Sequence, residues 1–292
     1  MSFDRKTVLA VVIDPGRLSA GIVSDEGDVL VRDRVGTSGR EVWRSLEAIV
    51  LRILAARPDD VGLPSLVGVS CVGPIDVDAG SVSPASIHAW RAFPLRERME
   101  DLTGLPVHVD TLAGAAAMAE QWNGDAVEVA SFLLVLFDQT IESAVVMDGA
   151  RLRGAHGNAG SLAHVLVEPG GALCPCGASG CLSAYASTTA LEAEMNRPMR
   201  RATPSMIDRT GIMMGRAIAS AAAAFDVTTV LVGGAVIDTF GDPVLNSLRR
   251  ELALRSRLTH LGNLQVVELS GFSQPLVAAA SVALRAAADV AR

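Results

Sequence analysis

Lysine is almost missing from this chain: Lys6 is the only one, and the other basic residues are arginines spread among 32 acidic side chains. The net charge is −7. An acidic chain without a basic cluster lacks the electrostatic footprint of a nucleic-acid surface, so no direct nucleic-acid binding is expected. The densest basic group, Arg197, Arg200 and Arg201, is short and reads as a solvated loop. No apolar run reaches the roughly 18 uninterrupted residues that a membrane span needs. Residues 219–224 are apolar but short, and read as a buried helix. The opening residues 1–6 lead into a strand and carry no signal-peptide pattern, which points to the cytoplasm. There is also no long linker or low-complexity tract. What is left is a globular composition, half hydrophobic and a fifth charged, over 292 residues, enough for one or two domains with sizeable cores.

Cysteine is scarce but concentrated. Three of the four cysteines, Cys174, Cys176 and Cys181, fall within eight residues, and His164 lies ten residues upstream of the first. Zinc takes four soft or borderline ligands in a tetrahedron, and three cysteines with one histidine are a standard structural set. Gly177 and Gly180 let the chain turn sharply enough for the thiols to meet one ion. The competing reading is a redox pair or unrelated thiols. Cys174 and Cys176 are too close in sequence for an easy disulfide, and nothing marks the chain as secreted.

Along the chain, residues 8–13 form an apolar, β-branched strand, residues 14–17 a turn, 18–23 a returning strand and 29–31 a third. Residues 40–56 carry helical apolar spacing at Val42, Leu46, Ile49, Val50, Ile53 and Leu54. Residues 66–72 and 107–109 read as strands, 95–104 as a short helix and 111–122 as an alanine-rich helix. A second meander starts at 132–137. Asp14 is followed five and six residues later by Ser19 and Ala20, and Asp138 by Ser143 and Ala144, a weak internal repeat that fits two related α/β halves. Helices are then predicted over 188–196 with Ser187 as cap, 206–225, 245–257 and 275–291, with strands at 227–232 and 265–269.

His164 followed by Cys-x-Cys-Gly-x-x-Gly-Cys-Leu resembles the zinc motif of the ROK family of repressors, open reading frames and sugar kinases. The lead-in Arg153-Gly-Ala-His156-Gly-Asn158-Ala-Gly160 is similar to that family's too, and the likeness runs from Val8 to the last helix. The resemblance implies a two-domain actin-like, sugar-kinase (ribonuclease H-like) ATPase fold of α/β class with a cleft between the domains. It places an N-terminal domain at 1–115 plus 276–292 and a larger domain with the zinc loop at 116–275. It also implies a structural zinc on His164, Cys174, Cys176 and Cys181, and a homodimer.

A kinase of that family needs glycine-rich hairpins for ATP phosphates, an aspartate base and polar groups on the sugar. Each is altered here. The first hairpin, Asp-x-Gly-Gly-Thr in the family, is Asp14-Pro-Gly16-Arg17-Leu18, leaving Asp14 and Gly16 as vestiges; Arg17 either pairs with an anion or lies on the surface. The second, Gly-Thr-Gly-x-Gly in the kinases, is Asp138-Gln139-Thr140-Ile141-Glu142. The base position falls on Leu112, which takes no proton. Asp110, two residues earlier, is the fallback base, or else a helix cap. Family carboxylates that hold sugar hydroxyls are replaced by Ser161 and Ser183, and an asparagine in the loop before Trp90 is missing, leaving Ser86 and His88. His156 and Asn158 either line the cleft or serve a turn. Gly233 and Gly234 match the adenosine-side loop and equally suit a tight strand-to-helix turn.

The expectation is therefore a non-catalytic ROK protein, a sugar or small-molecule sensor or regulatory module, with ATP and magnesium not expected to bind. The first strand begins at Val8, which leaves no room ahead of it for the winged helix-turn-helix of the family's repressors. Action through a regulatory protein partner is expected instead of direct DNA binding. The alternatives are an ATP-dependent sugar kinase of glucokinase or N-acetylhexosamine kinase type with a displaced base, and a ligand-free dimerisation partner.

Overall fold

A computed structural model describes residues 6–37, 41–58, 61–254, 258–269 and 274–290. The predicted helix ends at Arg40, Arg257 and Ala291 lie outside the described residues, as do the outermost ends of the expected N-terminal domain. Among the described residues no helix is long and apolar enough to cross a membrane.

The chain forms two compact units. The first holds β1 (Thr7–Asp14), β2 (Arg17–Ser24), β3 (Val29–Gly36), α1 (Val42–Ala55), β4 (Leu66–Cys71), the small hairpin β5 (Ile75–Asp76) and β6 (Ser81–Val82), α2 (Leu95–Thr103), β7 (Val107–Thr111) and α3 (Leu112–Asn123). The second holds β8 (Phe132–Phe137), β9 (Ile141–Met147), β10 (Ala150–Arg151), α4 (Ser183–Ala186), α5 (Thr188–Met195), α6 (Pro204–Phe225), β11 (Thr229–Gly233), α7 (Ala235–Phe240), α8 (Asp242–Ala253) and β12 (Gln265–Glu268). The last helix, α9 (Pro275–Val290), belongs to the first unit, as does the segment Arg153–Asn158. The first unit closes at Val127, so the boundary expected at 115/116 falls inside α3.

The two sheets share one topology. Their orders are β3-β2-β1-β4-β7 and β10-β9-β8-β11-β12, each an antiparallel meander followed by two parallel strands. The Asp14 and Asp138 repeat therefore marks equivalent hairpins. It is coarse, because the registers differ: Ser19 faces Val12, two residues before Asp14, whereas Ser143 faces Val135, three residues before Asp138.

β1 shows why a continuous apolar run suits a central strand. Leu9, Val11 and Ile13 face the layer built by α1 and α2, while Val8, Ala10 and Val12 face α9. All six are buried, and each side chain removed from water on this scale contributes about 1.5–3 kcal/mol. In the second unit α6 and α8 cover the sheet, with Leu133, Val135 and Phe137 of β8 against Met214, Ile218 and Leu248.

Several boundaries differ from the expected ones for local reasons. Pro204 sits in the first turn of α6 with Thr203 as cap, its hydroxyl accepting from Met206 N–H at 3.3 Å, so the helix starts two residues before the apolar pattern does. Asp226 takes the left-handed conformation as C-cap, which delays β11 to Thr229. Helices α4 and α7 are too short to show a periodicity. Ser187 does cap α5, accepting from Ala190 N–H at 3.1 Å.

Candidate functional site

In the second unit, the stretch after β10 folds into a knuckle. Cys174 N–H donates to Ala178 O (2.8 Å) and Gly177 N–H to Cys174 O (2.9 Å), closing the first turn. Short bridges pair Leu173 with Ser179 and Leu166 with Cys181. Gly180 makes this possible. Its φ is +81°, and a Cβ there would lie 1.9 Å from Glu168 O. Any side chain would push apart the two strands of the knuckle. The lone tyrosine, Tyr185, braces it from α4, its hydroxyl accepting from Ala172 N–H at 2.7 Å. Arg216 of α6 holds the other side, donating to Val167 O at 2.9 Å and pairing with Glu168.

The result brings His164, Cys174, Cys176 and Cys181 together, with one donor atom of each within 4.8 Å of the others. Cys174 Sγ lies 3.5 Å from His164 Nδ1, and Cys176 Sγ lies 3.7 Å from Cys181 Sγ. The edges of a tetrahedron with zinc-type bond lengths are about 3.5–3.8 Å, so the residues fit a tetrahedral dication. Without one, the thiols are in conflict. Burial pushes Cys174 up and Cys181 up to about 12, with the neighbouring thiols adding to the effect on Cys181. The backbone N–H of Ala178 holds exposed Cys176 below the ordinary thiol value. A cation that keeps thiolates ionised removes that conflict.

The rest of the second unit's candidate groups are spread around this knuckle. Ser161 is exposed and Ser183 half-buried at the start of α4, its N–H bonded to Ala163 O at 2.9 Å. The neighbouring Ser143 ties the turn, donating to Gly160 O (2.8 Å) and accepting from Leu162 N–H (2.7 Å). At the β8–β9 turn, Asp138 accepts from Gln139 N–H (2.8 Å) and from Ala235 N–H at the start of α7 (3.4 Å). That helix start thus already has an anion in contact with it, a placement the sequence pattern did not reveal. Gly234 has φ +101°, and a Cβ would fall 2.6 Å from Phe137 O, so the strand-to-helix turn alone requires it.

In the first unit, the residue expected at the base position is Leu112. Leu112 is the first residue of α3, half-buried, and packs against the apolar layers on both sides of the sheet. Asp110 is not the helix cap: Thr111 is, its hydroxyl accepting from Gly114 N–H at 3.0 Å. Asp110 instead lies in β7 opposite Ser70, is buried, and accepts from Thr111 N–H at 2.6 Å. Asp14 folds onto its own turn, Oδ1 accepting from Gly16 N–H at 2.9 Å. Arg17 is exposed, and Leu18, where the family's hairpin has a threonine, is fully buried in the core.

Ser86 and His88 are exposed on the 83–92 loop, which Ile87 and Trp90 anchor in the core. Asn158 serves the turn: Oδ1 accepts from Ile75 N–H (2.9 Å) and Nδ2 donates to Ile75 O (2.6 Å), so the amide imitates a strand partner. His156 is exposed, 3.7 Å from Asp76. Of the unanticipated groups, Tyr185 carried a signal in being the single tyrosine beside the cysteine cluster; Arg216 carried none.

Two mixed sheets of identical order, one unit bearing a Cys₃His knuckle, define the actin-like, sugar-kinase class of α/β proteins. The chain belongs to the ROK family, whose profile matches residues 10–274. It is 28% identical to a glucokinase of Streptomyces coelicolor over 83% of this chain and 86% of that protein. It is 33% identical to a glucokinase of Halalkalibacterium halodurans over 57% of this chain and 52% of that one. A xylose repressor of Caldicellulosiruptor bescii is 26% identical over 68% of this chain and 57% of its own length. Among solved structures, the ROK hexokinase of Thermus thermophilus superposes with a TM-score of 0.79 at 28% identity, covering 97% of this chain and 99% of that one. A ROK transcriptional regulator, a homologue of Escherichia coli MLC, has a TM-score of 0.85 at 21% identity over 96% and 78% of the chains, a likeness of fold.

Proposed function

We propose that this chain is a zinc-braced ROK protein that binds a sugar or similar small molecule and does not transfer phosphate, acting as a sensing or regulatory module. The observation that carries this is the first turn of α3. A half-buried leucine packed against the core stands where the base is expected, and the nearby Asp110 is buried in a strand and bonded to the next backbone N–H. Phosphoryl transfer rests on positioning and charge stabilisation, so a site without an acid and without glycine hairpins loses both. The polar groups we assign to a ligand are Ser86 and His88 in the first unit, where His156 stands near Asp76, and separately Ser161 and Ser183 in the second. Asn158 leaves that set because its amide is engaged. Zinc on His164, Cys174, Cys176 and Cys181 is structural in this reading, since the protein supplies all four ligands and a catalytic zinc keeps one position open. A homodimer working through a protein partner completes the proposal.

The second reading is an ATP-dependent hexose kinase, and the relatives favour it over the first: those of S. coelicolor and H. halodurans are glucokinases, and one of Haemophilus influenzae is an N-acetylmannosamine kinase. Isothermal titration separates the two. Titrating ATP–magnesium and, separately, glucose and N-acetylmannosamine into the purified chain is expected to give no nucleotide heat. ATP binding that tightens in the presence of a hexose supports the kinase reading and overturns the first.

A further inference from the structure

The four knuckle residues are not equivalent. Cys174 and Cys181 are each 2% exposed, whereas Cys176 is exposed. The donor atoms also fall into two pairs, Cys174 with His164 at 3.5 Å and Cys176 with Cys181 at 3.7 Å. Backbone hydrogen bonds hold both segments that carry these residues. Cys174 is tied into its turn by Ala178 O, and the strand carrying Cys181 is tied by Leu182 N–H to Val165 O at 3.0 Å. Cys176 is the one exposed cysteine; the buried Cys181 sulfur lies 3.7 Å from it, while Cys174, two residues away in sequence, is poorly placed to form a disulfide with it. A disulfide needs the sulfurs to close to about 2.05 Å, which from 3.7 Å is within the reach of side-chain rotation, with Gly177 and Gly180 inside the closing loop.

We propose that Cys176 is an oxidation site whose product is a Cys176–Cys181 disulfide, and that forming it expels the bound metal. The inference rests on the zinc reading above. The oxidant is a peroxide. The Cys176 thiolate attacks one peroxide oxygen, the O–O bond breaks, and a sulfenic acid and hydroxide result. The Cys181 thiolate then displaces hydroxide from that sulfur. In sum two thiolates, one hydrogen peroxide and two protons give one disulfide and two waters; the thiolates lose two electrons and the peroxide gains them. The metal keeps only His164 and Cys174, half of a tetrahedral set, and leaves. A thiol reductant reverses the step. Leu166 and Leu173, already 59% and 76% exposed on this knuckle, sit on the segments that the metal holds together, so metal loss loosens an exposed apolar surface.

The test uses the full purified chain. Metal content is measured first, then hydrogen peroxide is added in steps while released zinc is read with a chromogenic chelator. Remaining thiols are alkylated and the linkage is mapped by tandem mass spectrometry. The expected result is one metal released per two-electron oxidation, with Cys176 linked to Cys181 and Cys71 and Cys174 alkylated. Reductant plus zinc restores the starting state. Cys176→Ser is expected to slow oxidation about tenfold or more. A disulfide that includes Cys174, oxidation that starts at Cys71, or release accompanied only by sulfinic acid overturns the proposal. If the chain purifies without metal, the zinc reading fails by itself; the linkage map on that protein still decides whether Cys176–Cys181 is the favoured pair, and any other pair sinks the inference. Should Cys176→Ser fail to fold, the wild-type map alone decides it.

Discussion

The knuckle around Cys174 draws His164, Cys174, Cys176 and Cys181 within 4.8 Å of one another, whereas the first turn of α3 offers Thr111 and Leu112 and no carboxylate. The two regions are under different physical constraints. A metal ligand in a knuckle is part of the folding free energy, so losing one loosens the surrounding chain whether or not any reaction takes place. The start of a helix needs a cap and a packed first turn, and Thr111 with Leu112 satisfies both without a carboxylate. On the proposed reading, the parts that hold the structure together remain and those that only chemistry requires do not. The hairpins follow the same division: Leu18 adds to the core, and Asp138 gives the start of α7 an internal anion.

The largest expected effect strikes the knuckle. His164→Ala or Cys181→Ser should release the metal and destabilise the second unit by about 2–5 kcal/mol, the scale of a lost cross-link; metal analysis and chemical denaturation check this. An unchanged midpoint would remove the knuckle's structural role. Next comes Gly180→Ala, which puts a Cβ 1.9 Å from Glu168 O at a φ of +81°. A loss of about 2 kcal/mol or more is expected, with weaker metal retention as the local readout.

On the α3 side, Leu112→Asp is expected to cost about 1–3 kcal/mol, because it places a carboxylate among apolar layers. It should restore no hexose-dependent nucleotide turnover, since the hairpins remain unsuited to phosphate. Turnover appearing in this variant would narrow the comparison to one side chain. The smallest effect belongs to Glu120 of α3. Burial raises its pKa above 4.5, against the opposing hydrogen bond from Asp125 N–H. The folded chain thus holds a proton more tightly than the unfolded one, and this contribution to stability declines as pH rises from 4.5 through the folded value. Glu120→Gln should flatten that slope and raise stability near neutrality by about 1 kcal/mol or less, measured by thermal melts across pH.

Much of this was legible in the residues. Apolar runs and β-branching located β1, β4, β8 and β11, and the cysteine spacing located the knuckle. Spacing alone could not show its brace, because Tyr185 and Arg216 act through contacts set by tertiary packing. Asp110 illustrates the same limit. By sequence it suits a helix cap, yet pairing of β7 with β4 extends the strand to Thr111 and hands the cap to that residue. Asn158 was ambiguous for a similar reason: its partner, Ile75, lies 83 residues away.

The central claim is that a leucine cannot do the work of an acid in this scaffold, and a coupled assay of ADP release tests it most directly. The purified chain, checked for metal, would be given ATP–magnesium with glucose, mannose or N-acetylmannosamine in turn. The expected result is hexose-independent background only. Sugar-dependent ADP release at ordinary enzyme rates, on the order of 1–1000 per second, would contradict the account and establish the kinase reading in its place.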